Sequence, residues 1–175
     1  MSATFDRCLE ILFSREGGRA NRSLKDDPGG ATVYGISQRS HPEAWRDGPP
    51  SRDEAAAIFR RDYWDAIRGD DLPWPLCLFV LECAVMSGVP RAVLDLQGAC
   101  DVRVDGAIGP VTLAAARRLA GDEERLALML ADRALWLAGL RNWQANSRGW
   151  LKRLFKDALV GGAAVPARSD PSRAG

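Results

Sequence analysis

With 175 residues, 46% hydrophobic and 27% charged, the chain has the make-up of one soluble globular domain, or of one domain with a small lobe attached. Its 24 Lys and Arg against 23 Asp and Glu leave a net charge of +1, so no overall field marks a nucleic-acid binder or a disordered acidic partner. The most apolar window, Trp74–Val89, contains Glu82 and is shorter than the roughly 20 apolar residues of a membrane span, and the first residues mix both charges where a signal peptide needs an apolar run.

Phe5, Cys8, Leu9, Leu12 and Phe13 recur at helical spacing, and Gly17-Gly18 follows as a stop signal, which puts Glu16 at a helix exit. From Asn21 to Pro50 the chain is rich in Gly, Pro, Asp and Ser with short β-prone pieces such as Ala31-Thr32-Val33-Tyr34, the pattern of a loop with one small hairpin. Ser51-x-x-Glu54 is a capping box, and Ile58, Phe59, Tyr63, Trp64 and Ile67 continue the helix it starts. Leu76–Ser87 is apolar nearly all round, as a short central helix would be, and Gly88 ends it. Pro90 and Pro110 each suit the start of a helix, over Arg91–Ala99 and Val111–Leu119, with an Asp105-Gly106 turn between them.

Asp122-Glu123-Glu124 caps a long helix that runs to about Leu140. A last helix is expected at Gly149–Val160, with Trp150, Leu151, Leu154, Phe155, Ala158 and Leu159 on a docking stripe and Lys152, Arg153, Lys156 and Asp157 solvated. Five basic residues and no acid lie from Arg141 to Lys156, so this helix is expected to dock with at most a weak electrostatic contact to an anionic polymer or lipid headgroups. Residues 161–175 lack periodicity and are expected to be a flexible tail.

Cys8, Cys77, Cys83 and Cys100 each sit in apolar sequence, none forms C-x-x-C, and His41 is the one histidine, so four buried thiols are expected rather than a disulfide or metal site. His41 has no nucleophile motif around it, and neither Gly17-Gly18 nor Gly29-Gly30 completes a phosphate-binding loop. The unusual polar cluster is Arg15-Glu16-Gly17-Gly18 followed by Asp26-Asp27-Pro28-Gly29-Gly30-Ala31-Thr32-Val33-Tyr34-Gly35-Ile36-Ser37. Glycoside hydrolysis needs a carboxylic acid to protonate the departing oxygen and a carboxylate or positioned water on the other face of the sugar. Glu16, leaving an apolar helix, is suited to the first task, because partial desolvation favours its protonated form. The Pro28-Gly29-Gly30 turn could fold Asp27 and Thr32 back towards it. On these residues alone, an ordinary helix-end charge followed by an ordinary turn is the favoured reading, because single carboxylates at helix ends are commonplace.

Glu16-Gly17-Gly18, Asn21, Asp27-Pro28-Gly29-Gly30, Thr32 and Tyr34-Gly35-Ile36-Ser37 resemble the E-G-G…N…D-P-G-G-x-T-x-x-G-I-[ST] signature of the family 108 glycoside hydrolases. The resemblance continues through Tyr63-Trp64-Asp65, Leu72-Pro73 and Ser87-Gly88. Leu96-Gln97 and Asp105-Gly106-Ala107-Ile108-Gly109-Pro110-Val111-Thr112 then look like that family's peptidoglycan-binding region. It implies a mainly α, lysozyme-like fold with the active site on a loop or small hairpin. It also implies N-acetylmuramidase activity, as in phage endolysins and secretion-linked muramidases, with peptidoglycan as partner and no metal or organic cofactor.

Carried over by position, Glu16 is the catalytic acid, and Asp27 and Thr32 orient or activate a water. Where the family reads D-x-x-V-N-x-G, this chain has Glu82-Cys83-Ala84-Val85-Met86-Ser87-Gly88, and Met86 lacks the amide of that Asn. The change implies either an altered substrate geometry or compensation by Gln97 as a substrate contact, and Tyr34, in the polar loop, is the aromatic residue expected to touch the sugar. The Asp105–Pro110 motif is expected to serve chiefly as a loop-to-helix connection, Gly106 and Gly109 taking backbone angles closed to other residues. The expected organisation is a catalytic region at 1–88 and a helical peptidoglycan-binding region at 89–160, packed as one unit in a monomer, then the tail. Without a signal peptide, the chain would reach the periplasmic wall through a holin or a secretion system. The rival readings are a lytic transglycosylase and a non-catalytic wall-binding module.

Overall fold

The computed structural model describes residues 2–15 and 31–162. They form a mainly α, lysozyme-like fold with little strand. The chain divides into two compact units, Met1–Leu72 with Val80–Val93, and Pro73–Phe79 with Leu94–Gly175. Two helices, α3 (Leu76–Ser87) and α4 (Val89–Ala99), contribute residues to both.

The first unit opens with α1 (Ala3–Arg15), whose Phe5, Cys8, Leu9, Leu12 and Phe13 form the buried stripe that their spacing requires. A two-stranded antiparallel hairpin follows, β1 (Thr32–Val33) and β2 (Ile36–Ser37), in register Thr32↔Ser37 and Val33↔Ile36. The capping box is formed at α2 (Arg52–Phe59): Ser51 Oγ accepts from the Glu54 N–H, and Glu54 accepts from the Ser51 N–H at 2.7 Å. That last bond, with the Ser51 hydroxyl beside it, holds the Glu54 carboxyl below its ordinary value.

α2 widens into one π turn over Arg60–Trp64, closed by Asp65 N–H donating to Arg60 C=O at 2.9 Å. Trp64 is fully buried, edge-on to Phe5 with centroids 5.2 Å apart. Gly69 lies against the Trp64 indole so closely that an added Cβ would stand 2.7 Å from Cε3. The residues of α3 in this unit include buried Val80, Leu81 and Ala84.

In the second unit, α5 (Pro110–Leu119) buries Thr112, Leu113, Ala115, Ala116 and Leu119, and Pro110 stands in its first turn as expected. Asp122 caps α6 (Glu123–Ala138) by accepting from Arg125 N–H at 3.1 Å. Arg133 reaches Asp95 at 3.4 Å and lies over the Trp136 ring at 4.5 Å. The last helix, α7 (Trp143–Gly162), starts six residues earlier than its sequence suggests and runs two residues further. Gly149 reads as a boundary but stands in open space within the helix, and the Trp143 and Trp150 rings, two turns apart, approach to 6.3 Å across it. Gly161 belongs to the helix because its missing side chain admits Phe79, whose Cζ would lie 2.7 Å from a Cβ there.

The docking stripe expected for α7 is corrected. Phe155 and Leu159 are 61% and 73% exposed, whereas Asp157, expected in solvent, is buried. All four cysteines are buried free thiols. No described helix is long and apolar enough to cross a membrane. The expected tail lies outside the described residues from 163 onward.

Candidate active site

The carboxyl end of α1 is fixed from several directions. Phe13 packs on the Tyr34 ring at 5.2 Å and edge-on to Phe59 at 5.8 Å, and the Arg52 guanidinium covers it at 5.3 Å. Arg52 is also paired with Glu10, one turn earlier on α1. At the last helical residue, Arg15 Nη1 donates to Glu82 Oε1 at 2.6 Å, with the two side chains only 7% and 4% exposed. Glu82 is the lone charged residue of α3, and a carboxylate in such a setting is tolerable because a guanidinium neutralises it. Arg15 is followed directly in the chain by Glu16. Glu16 and Asp27, with the Gly29-Gly30 turn, lie outside the described residues.

The hairpin supplies the other described candidates. Tyr34 and Gly35 form its two-residue turn with φ of 52° and 81°, the paired left-handed geometry that suits the twist of a tight hairpin. Gly35 thus takes a backbone geometry that glycine adopts without strain. Tyr34 has no such freedom, and its unusual conformation is accompanied by the ring contact with Phe13. Thr32 is half-buried at the start of β1, and the ladder is extended by Gln38 N–H donating to Ala31 C=O at 2.9 Å. After β2, Ser37 Oγ accepts from Ser40 N–H at 3.1 Å and holds the chain as it turns away.

His41 Nε2 lies 3.3 Å from Asp62, farther along the same unit. Asp62 is held below its ordinary carboxylate range chiefly by the Arg61 side chain hydrogen-bonded to it, with a smaller contribution from His41.

Gln97 belongs to the second unit and does not fit the role expected of it. It is 1% exposed, and its amide is fully engaged. Nε2 donates to Asp105 Oδ1 at 2.8 Å and Ala107 C=O at 3.0 Å, while Oε1 accepts from the N–H groups of Asp105 and Gly106 at 3.1 and 2.9 Å. Nε2 also lies 3.4 Å from Thr112 Oγ1 in α5, so this side chain staples the loop before α5 to the start of that helix. Gly106 takes φ 81° there, as expected, but Gly109 stands at φ −96° in ordinary extended backbone and serves as the N-cap of α5. Met86, where the family Asn was expected, is 39% exposed on the last turn of α3.

Sequence reasoning missed the Arg15–Glu82 pair. Its signal was present in one charged residue in an otherwise apolar helix, which must find a partner when that helix is buried.

The sequence profile described as Glycosyl hydrolase 108 matches residues 9–88, which include the end of α1, the hairpin and α3. Among solved structures, that of SagA from Brucella abortus is 35% identical, covers 91% of this chain and 94% of its own, and superimposes with a TM-score of 0.74. The chain belongs to glycosyl hydrolase family 108. No curated protein sequence matches it. Family 108 membership makes it a glycoside hydrolase of the peptidoglycan-cleaving, muramidase type. The matched segment ends at Gly88, so Gln97 and the Asp105–Pro110 loop lie beyond it.

Proposed function

We propose that this family 108 chain is an N-acetylmuramidase that hydrolyses the β-1,4 bond between N-acetylmuramic acid and N-acetylglucosamine, with Glu16 as the proton donor. Asp27 and Thr32 hold the water that attacks the opposite face of the sugar, and Tyr34 contacts the substrate. Residues 1–88 carry this chemistry and residues 89–160 serve recognition of the wall. The chain works as a monomer, in the manner of a phage endolysin released through a holin or of a secreted muramidase.

The observation that supports the reading best is the anchoring on either side of residues 16–30. Phe13, three residues before Glu16, and Tyr34, two residues after Thr32, pack on one another at 5.2 Å. Arg15, the immediate neighbour of Glu16, is tied to the buried Glu82. A general acid acts only if its carboxyl returns to one place at each turnover, and rigid flanks on both sides serve that requirement.

The deciding experiment incubates the purified protein with outer-membrane-stripped Gram-negative sacculi and identifies the new chain ends. Reducing N-acetylmuramic acid ends are expected, whereas anhydro-muramic ends would replace this reading with a lytic transglycosylase. Glu16→Gln should lower turnover by at least about 100-fold with folding intact, the scale that general acid catalysis contributes. Asp27→Asn and Thr32→Ala should lose less. A Glu16→Gln protein that keeps more than about a tenth of the activity would remove Glu16 from the mechanism.

A further inference from the structure

The outward face of α7 has a composition that neither packing within its unit nor hydrolysis of a glycan requires. Arg148, Lys152, Phe155, Lys156 and Leu159 are all exposed. At about 100° per residue they fall within an arc of roughly 100°, and at 1.5 Å per residue they extend about 16 Å along the helix. Phe155 is 61% and Leu159 73% exposed, so two large apolar side chains stand in water between three cations. The single acid of the helix, Asp157, is buried on another side and gives this face no countercharge.

We propose that this face docks on an anionic lipid surface. The cations match the phosphate level of such a surface, and Phe155 and Leu159 reach below it, a division of labour typical of helices that lie in a membrane interface. Other occupants fit less well. The residues after 162 carry Arg168 and Arg173 against Asp170 and bring no complementary charge. A second copy docked face to face by a two-fold axis would set these cations against one another. A soluble polyanion would satisfy the cations but gain nothing from the two apolar side chains. The surface is independent of the hydrolase reading and would stand if Glu16 proved inert.

The test is sedimentation of the full-length protein with vesicles of phosphatidylglycerol and phosphatidylethanolamine, against vesicles of phosphatidylcholine alone. The wild type should sediment with the anionic vesicles at low salt and stay in solution with the zwitterionic ones. K152Q/K156Q should bind about 30-fold more weakly, since each lysine near an anionic surface contributes about a fivefold factor. F155S/L159S should lose roughly tenfold or more. Because all four side chains are exposed, both variants should keep the wild-type helical circular dichroism and Tm, and K156E gives a second charge variant should one of them misfold. Absence of binding to anionic vesicles, or equal binding to both kinds, would overturn the proposal. So would F155S/L159S binding like the wild type while the lysine variant fails, which would assign the face to a soluble polyanion.

Discussion

Replacing Glu82 by leucine would leave the Arg15 guanidinium, 7% exposed, without the carboxylate oxygen now 2.6 Å from Nη1. Removing one partner of a buried ion pair costs about 3–5 kcal/mol, because the remaining charge keeps its desolvation penalty and loses the attraction that offset it. Arg15→Leu removes the guanidinium 2.6 Å from the Glu82 carboxylate, 4% exposed, and should cost a similar amount. For a chain of this length each kcal/mol moves Tm by about 2–4 °C, so either single variant should melt roughly 6–20 °C below the wild type. Arg15→Leu/Glu82→Leu removes both charges and both desolvation penalties, and should recover to within about 2 kcal/mol of the wild type. Urea unfolding of the four proteins, followed by circular dichroism, gives the coupling energy directly, with at least about 2 kcal/mol expected. Sacculus hydrolysis by the double variant supplies a second readout. If the pair holds the end of α1 for Glu16, stability should return without full activity. Single variants within about 1 kcal/mol of the wild type, or a double variant as unstable as the sum of the singles, would refute the argument.

Gly69→Ala should lower stability by about 1–3 kcal/mol, since its Cβ would overlap the fully buried Trp64 indole and force ring or backbone to shift. A wild-type melting temperature would show that the Trp64 pocket yields more readily than its packing indicates. The Asp105 carboxyl is held below its ordinary range, first by the hydrogen bond from Gln97 and then by that from the Ala107 N–H. A depressed folded-state pKa contributes stability above the ordinary carboxylate value of about 3.9, and that contribution disappears as pH falls through the lowered value. Asp105→Asn should therefore melt below the wild type at pH 7, and the gap should close below about pH 4. A gap that stays constant from neutral to strongly acid solution would mean that the Asp105 charge does not stabilise the loop.

Local periodicity and capping chemistry were enough to place most helices, because those signals act within a few residues. The Ser51/Glu54 box, the prolines opening α4 and α5, and the Asp122 cap all stand where their chemistry predicts. The short hairpin was legible too, although the left-handed φ of Tyr34 was not, since tyrosine is a poor signal for that turn. The signature around Glu16, Asp27 and Thr32 identified the family, but the structure describes only Thr32 of the three.

What required the tertiary structure was the direction in which side chains point. Gln97 looked available to a substrate because nothing in its own helix engages its amide. The loop at 105–107, eight and more residues away, takes up four of its hydrogen bonds, and Thr112 Oγ1 in α5 accepts a longer one at 3.4 Å. Glu82 found its partner 67 positions back in the chain, at Arg15. In α7 the sequence shows two-sided character but does not fix which arc is covered, because a 3.6-residue repeat defines a helix's faces only relative to one another. Neighbouring elements make that choice. Here they admit Gly161 against Phe79 and bury Asp157, and so rotate Phe155 and Leu159 out beside Lys152 and Lys156.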